Sequence, residues 1–294
     1  MNERLCLLTV HAHPDDESSK GAGSVAKYHS QGVHTVLVCC TGGEEGDILN
    51  PAMDKPEVRE NLHQVRMGEL EQAASVIGYD EVVMLGYRDS GMADTEPNAN
   101  PASFFQADLD EAVGKLVKEI RRTQPQVIVT YNDDQQGYPH PDHLRVHDIS
   151  VLAFDAAGDP DRFPGAGEPW QPSKLYYTMW SRARMVATHE KFLELGLESP
   201  FKPEWFEGRP DQDHLITNRV DISEYGDIRS KALLAHATQI DPTSPFWFGL
   251  PTEVARTVHP YDDYRLARSL VDADPGADDL FAGVREAADQ SATG

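Results

Sequence analysis

Two short stretches concentrate the side chains that can hold a metal or move a proton. The first, HAHPDDE at 11–17, offers His11, His13, Asp15, Asp16 and Glu17. The second, GYPHPDHLRVH at 137–147, adds His140, Asp142, His143 and His147. Two histidines and one carboxylate make a catalytic zinc set, because they leave coordination positions open for water and substrate. Zinc then lowers the pKa of its water and polarises a carbonyl. A carboxylate left beside the metal can serve as general base. A leftover histidine can hold the oxyanion or protonate the leaving amine. A purely structural reading of the first stretch also exists, in which Asp15 or Asp16 caps the following helix. It leaves too many ionisable groups in one loop unexplained.

Each stretch follows a strand pattern and opens a helix pattern. Pro14 fixes the first turn and stops its strand. Apolar and β-branched runs predict strands over 5–10, 33–40, 81–85, 126–131, 174–180 and 215–222. Helical periodicity predicts helices over 18–31, 57–77, 108–122 and 142–157, with further helical patterns around 182–195 and 223–237. A Gly/Pro/Asp-rich loop spans 158–172. This alternation predicts an α/β fold, a Rossmann-like, mainly parallel sheet with helices on both faces and C-terminal additions. Ligands bind such sheets at the carboxyl ends of strands, where both His/Asp loops fall. The simplest organisation is one domain over 1–294. It has a core to about 160, C-terminal additions shaping a substrate pocket over about 161–275, and a polar tail that frays after Asp272.

Composition narrows the partners. With 49 Asp and Glu against 26 Lys and Arg, the formal charge is -23. That surface repels nucleic acid and anionic membranes, and it suits a small-molecule substrate. Cys6, Cys39 and Cys40 are too few and too irregular for a disulfide framework, and read as buried apolar residues. The N-terminal apolar run is too short for a signal peptide, and no stretch approaches the roughly 20 apolar residues of a membrane span. A cytoplasmic location is expected.

HAHPDDE followed by HPDH resembles the LmbE/PIG-L family of metal-dependent de-N-acetylases. TGGEEGDILNPAMD (41–54), VRMGEL (65–70), GYRDSGM (86–92) and AHATQID (235–241) extend the resemblance through most of the chain. It implies that His13, Asp16 and His143 hold zinc, or iron in its place, and that Asp15 is the general base. His140 is implied to stabilise the oxyanion and help protonate the amine. Asp142 would orient His140 and raise its pKa. Tyr138 would swing toward the substrate carbonyl. Arg66 and Asp89 match positions that grip a sugar, Lys20 one near a thiol-conjugate arm, and His236 one reaching the site from the C-terminal part. Plainer readings stand beside these: a solvated helix-face charge for Arg66, a surface residue for Lys20, a helix-end histidine for His236. Trp247 and Phe248 can wall a pocket for an apolar conjugate or simply pack in the core.

Within the family the chain most resembles the mycothiol S-conjugate amidases. The implied substrate is a thiol-sugar conjugate. Its cysteinyl-glucosamine amide is cleaved to a mercapturic acid and glucosaminyl-inositol, in detoxification or antibiotic biosynthesis. The sister reaction is deacetylation of N-acetylglucosaminyl-inositol. Rivals of other classes are a non-haem iron oxygenase, which uses the same ligand types, and a non-catalytic sugar-binding protein, which has no need of an unliganded Asp15.

Overall fold

The computed structural model describes residues 4–135, 138–206, 210–272 and 277–285. The chain runs through β1 (Cys6–His11), α1 (Asp16–Ser19), α2 (Ala22–Ser30), β2 (His34–Thr41), α3 (Pro56–Glu60), α4 (Leu62–Ile77) and β3 (Glu81–Tyr87). It continues with α5 (Leu109–Thr123), β4 (Val127–Tyr131), α6 (Pro141–Ala157), β5 (Lys174–Met179) and α7 (Arg182–Glu194). It closes with β6 (Asn218–Asp221), α8 (Ile228–Ala235), α9 (Pro245–Phe248), α10 (Thr252–Val258) and β7 (Tyr261–Ser269).

Among the described residues the seven strands form one sheet in the order β3-β2-β1-β4-β5-β7-β6. Pairing is parallel from β3 to β5, and β7 and β6 add antiparallel strands at the edge. This is the α/β architecture that the alternating pattern predicts. β1 is buried at every position, as a strand covered on both faces must be. Its side chains alternate between two cores. Cys6, Leu8 and Val10 meet Leu116 of α5 and Val146 of α6. Leu7 points the other way, into a cluster with Val25 of α2 and Ala232 of α8.

The strand order reverses between β1 and β4, which pair directly through Leu7 with Val127 and Thr9 with Val129. A crevice opens at the carboxyl ends of two such neighbours, because their connections depart in opposite directions. Both His/Asp loops leave the sheet there.

Some predicted elements differ. The helix expected over 18–31 breaks into α1 and α2 at Gly21, whose φ of +87 is left-handed. The helix expected over 57–77 breaks at Asn61, which leaves helical geometry at φ -121 and ψ 25. β7 has no predicted counterpart, because its buried stretch begins with Asp262 and Asp263. Neither acid is unpaired. Asp262 accepts from Ser24 N and Oγ at 3.0 Å each, and Asp263 from His259 Nε2 at 2.8 Å.

The expected fraying after Asp272 also fails for residues 277–285. Leu280 and Phe281 are fully buried, and Leu280 N donates to Tyr28 Oη at 2.7 Å. The rest of the polar tail lies outside the described residues. Among the described residues no helix is long and apolar enough to cross a membrane. The three cysteines are buried and unpaired, as expected.

Candidate active site

β1 ends at His11, whose Nδ1 meets Tyr131 Oη at 3.2 Å. The chain then turns through His13 and Pro14 into α1. Asp15 holds the turn at φ 114, a left-handed conformation that strains any residue with a side chain. Glu17 secures it from below. Fully buried, Glu17 accepts the Asp15 N–H at 2.9 Å, the Ser18 hydroxyl at 2.6 Å and His236 Nε2 at 2.7 Å. The Asp15 carboxylate makes no helix-capping bond, so the structural reading of that residue is excluded. It meets Arg66 Nη2 at 3.3 Å and keeps 29% of its side chain exposed. Asp16 points the other way. Its Oδ2 accepts from His13 N at 3.0 Å and its Oδ1 from Lys20 Nζ at 2.5 Å.

The second loop is fixed by the start of α6. His140 caps this helix, its Nδ1 accepting the Asp142 N–H at 3.2 Å. Pro141 takes the first helical position, where a missing N–H costs no hydrogen bond. Asp142 and His143 follow in the first turn and are buried. Tyr138 stands on the lip, 57% exposed, its ring centroid 6.0 Å from that of His140 and 5.8 Å from that of His143.

The two loops bring His13, Asp16 and His143 together, with donor atoms all within 4.8 Å of one another. Asp16 Oδ2 lies 3.5 Å from His13 Nδ1 and 3.4 Å from His143 Nε2. Ligand atoms about 2.0–2.1 Å from a tetrahedral ion lie about 3.3 Å apart, so donor type and spacing both fit a divalent cation. The opposite ring nitrogens are held from behind. His13 Nε2 faces Asp142 Oδ2 at 3.2 Å, and His143 Nδ1 faces Gln135 Oε1 at 3.2 Å. Such outer bonds fix the tautomer of a metal-binding histidine. A second buried group, His13, Asp89 and His140, also comes within 4.8 Å and shares the His13 ring.

Charge is unevenly spread here. Burial disfavours a proton on His13, yet hydrogen bonds to Asp142, Asp16 and Asp89 raise its pKa well above the ordinary range. The same concentration of negative charge attracts a metal cation. Burial pushes Asp16 up, but Lys20 and His143 hold it well below the carboxylate range. Burial raises Asp15 against the pull of Arg66. Burial lowers His143, and lowers His140 to about 4, which leaves the His140 ring neutral near pH 7.

Several expected roles do not match this geometry. The Asp142 carboxylate serves His13 and Ser90, accepting from Ser90 N at 2.9 Å, and only its backbone N–H reaches His140. His140 accordingly falls in pKa instead of rising, since burial and the facing rings of His13 and His143 outweigh Asp142. Arg66 is not a solvated helix-face charge but points inward, beside Asp15. It is buried and donates to the carbonyls of Gly43 and Pro14 at 2.6 Å each. His236 exposes no surface and reaches Glu17, not the crevice. Asp89 is buried beside the cluster, with Oδ1 3.4 Å from His13 Nε2 and accepting from Gly91 N at 2.8 Å. Lys20 stays at the edge of an open cavity of about 240 Å³, which the three clustered residues do not line.

Ser90 and Gln135 are the contributors that the reading of motifs passes over as individuals, and Glu17 is named there with no role of its own. Ser90 lies inside the segment GYRDSGM. Gln135 lies in a polar loop with no pattern to mark it.

Residues 8–154 match the family described as PIG-L, GlcNAc-PI de-N-acetylase. A mycothiol S-conjugate amidase of Streptomyces coelicolor is 44% identical over 97% of this chain and 99% of its own length. A 1D-myo-inositol 2-acetamido-2-deoxy-alpha-D-glucopyranoside deacetylase of Streptomyces avermitilis is 38% identical over 95% of this chain and 97% of its own. The solved N,N'-diacetylchitobiose deacetylase of Pyrococcus horikoshii has a TM-score of 0.61 at 17% identity, covering 90% of this chain and 84% of that one. At that identity the likeness concerns the fold alone. Sequence likeness over nearly the whole length is a stronger bond, and by it the chain belongs to the PIG-L family of GlcNAc-PI de-N-acetylases.

Proposed function

We propose that this chain is a zinc-dependent amidase that hydrolyses the cysteinyl-glucosamine amide of mycothiol S-conjugates, releasing a mercapturic acid and glucosaminyl-inositol. Family membership makes it a hydrolase of a linear, non-peptide amide. The likeness to the Streptomyces coelicolor amidase supports the finer assignment. The observation that carries it is what flanks His13, Asp16 and His143. On one side stands Asp15, a carboxylate outside the cluster, and on the other Lys20, at the edge of an open cavity.

Bound by His13, Asp16 and His143, zinc supplies Lewis acidity toward a water and the amide carbonyl. Iron suits the same donors. Asp15 is partly exposed and steadied by Arg66, and it takes the proton of the attacking water. His140 has its Nδ1 occupied by the Asp142 N–H, so its neutral ring carries the proton on Nε2. That N–H steadies the developing oxyanion, and the proton taken up by Asp15 passes on to the departing amine. Tyr138 closes over the carbonyl from the lip. Asp142 and Asp89 fix the ring of His13. The buried, unpaired thiols suit a reducing compartment, and we place the protein in the cytoplasm.

A second reading, deacetylation of N-acetylglucosaminyl-inositol, is supported by the Streptomyces avermitilis relative. The test runs zinc-loaded protein on a bimane S-conjugate of mycothiol and on N-acetylglucosaminyl-inositol side by side. Mercapturic acid release outpacing acetate release supports the amidase, and the reverse ratio assigns the deacetylase. Asp15→Ala should lower turnover about 10²–10⁴-fold, and unimpaired turnover would remove Asp15 from the role of base.

A further inference from the structure

The cavity of about 240 Å³ begins at Lys20 and Tyr131, beside the cluster, and extends to Trp180, Met185 and Trp205. It is far larger than the methyl of an acetyl group. Its far wall is aromatic and braced. The Trp180 ring stacks on Phe246 at 6.3 Å and 13°, and Arg184 lies over it at 5.3 Å. Trp205 meets Phe201 edge-on at 5.9 Å and Phe246 at 6.0 Å. Rings fixed in this way lose little entropy when a flat guest lies against them. Met179 and Met185 add polarizable sulfur that adapts to the guest's outline.

The charges on this wall are mostly spent within the protein. Asp262 accepts from Arg229 Nη2 at 2.6 Å and lies 3.5 Å from Arg184 Nη2. Asp263 accepts from Ser181 Oγ at 2.5 Å and His259 Nε2 at 2.8 Å. Asp213 accepts the backbone N–H groups of Arg182 and Ala183 at 2.7 and 2.8 Å. The Arg182 guanidinium is different. The backbone N–H of Arg182 is bonded, but among the described residues its side chain has no hydrogen bond, ion pair or ring contact, in a chain of net charge -23. It is the charge this cavity can offer a ligand.

We propose that the cavity receives the substituent on the substrate's sulfur, and that it selects a planar, apolar group carrying an acidic terminus, which Arg182 meets. This rests on the S-conjugate reading above and adds to it the chemical class of the conjugated group. Indoles and thioethers favour an aromatic body, and Arg182 favours a carboxylate at its end.

The test compares S-methyl, S-benzyl and S-(4-carboxybenzyl) conjugates of mycothiol, each variant being referenced to its own rate on the S-methyl conjugate. In the native protein kcat/KM rises about tenfold from methyl to benzyl, and about tenfold again to carboxybenzyl. Trp205→Ala abolishes the first step and Arg182→Gln the second. Binding of S-benzyl-N-acetylcysteine, read by tryptophan fluorescence, quenches the native protein more than Trp205→Ala. Equal kcat/KM for all three conjugates overturns the proposal alone. So does a Trp205→Ala variant that loses methyl and benzyl turnover equally, since the cavity then houses the sugar. If no conjugate is hydrolysed while N-acetylglucosaminyl-inositol loses acetate, the amidase reading itself falls, and this proposal with it.

Discussion

Three carboxylates face the His13 ring, and their positions assign them different work. Asp16 shares the side of Nδ1 with His143, while Asp142 and Asp89 hold Nε2. Removing an outer carboxylate from a metal-binding histidine costs about 10–100-fold in metal affinity, so Asp142→Asn should weaken the binding of added zinc, used as the probe ion, by that amount. Asp16→Ala should cost more and Asp89→Asn less, as read by chelator competition. A greater loss from Asp89→Asn than from Asp16→Ala would move the ion to His13, Asp89 and His140.

The ion pair of Glu17 and His236 belongs to the same scale. Burial lowers the pKa of His236, but Glu17 at 2.7 Å reverses this and leaves it raised. A histidine raised in the fold stabilises fully below its unfolded value of 6.5 and loses that contribution as pH rises through the raised value. Glu17→Gln should therefore cost about 3 kcal/mol near pH 6 and less toward pH 9, as measured by urea unfolding at both pH values. A cost that grows with pH would contradict the pairing. The variant should also lose kcat more than KM, because Glu17 holds the strained Asp15 backbone.

At the scale of elements, the break between α1 and α2 aims Lys20 at Asp16. Gly21 makes that break possible, with φ at +87 and a built Cβ only 2.8 Å from Tyr264 Oη. Gly21→Ala combines backbone strain with this clash and should cost about 2–3 kcal/mol, visible as a lowered Tm. A neutral result would mean that β7 yields easily at Tyr264. The parallel half of the sheet was legible in the sequence, because β1, β2 and β4 are continuous apolar runs separated by periodic helices. The two site loops were legible for a related reason. Each packs several titratable residues at a strand end, where they serve no core. β7 was hidden because Asp262 and Asp263 point inward, and their partners Ser24, Arg229 and His259 are remote in sequence. The true partner of Asp142 was hidden likewise. His13 lies 129 residues away, while His140 lies two away and invites the wrong pairing.

At the scale of the whole molecule, remote parts of the chain close the fold. Leu280 and Phe281 are fully buried in the cluster that holds Val25 and Tyr28 of α2. The carbonyl of Leu280 also accepts from Lys174 Nζ and Tyr176 Oη at 3.3 Å each. Lys174 is itself fully buried, so this carbonyl helps keep an ammonium satisfied away from water. Phe281→Ala should therefore behave as a core truncation, costing about 3–5 kcal/mol. A chain ended at Asp272 should lose more, since it forfeits the Leu280 carbonyl as well as the apolar contacts. Both effects should appear as a lowered Tm, at roughly 2–4 °C for each kcal/mol in a chain of this size. An unchanged Tm for Phe281→Ala would show that the segment detaches in solution. The fraying that its polar composition predicts would then describe residues 277–285 better than their packing does.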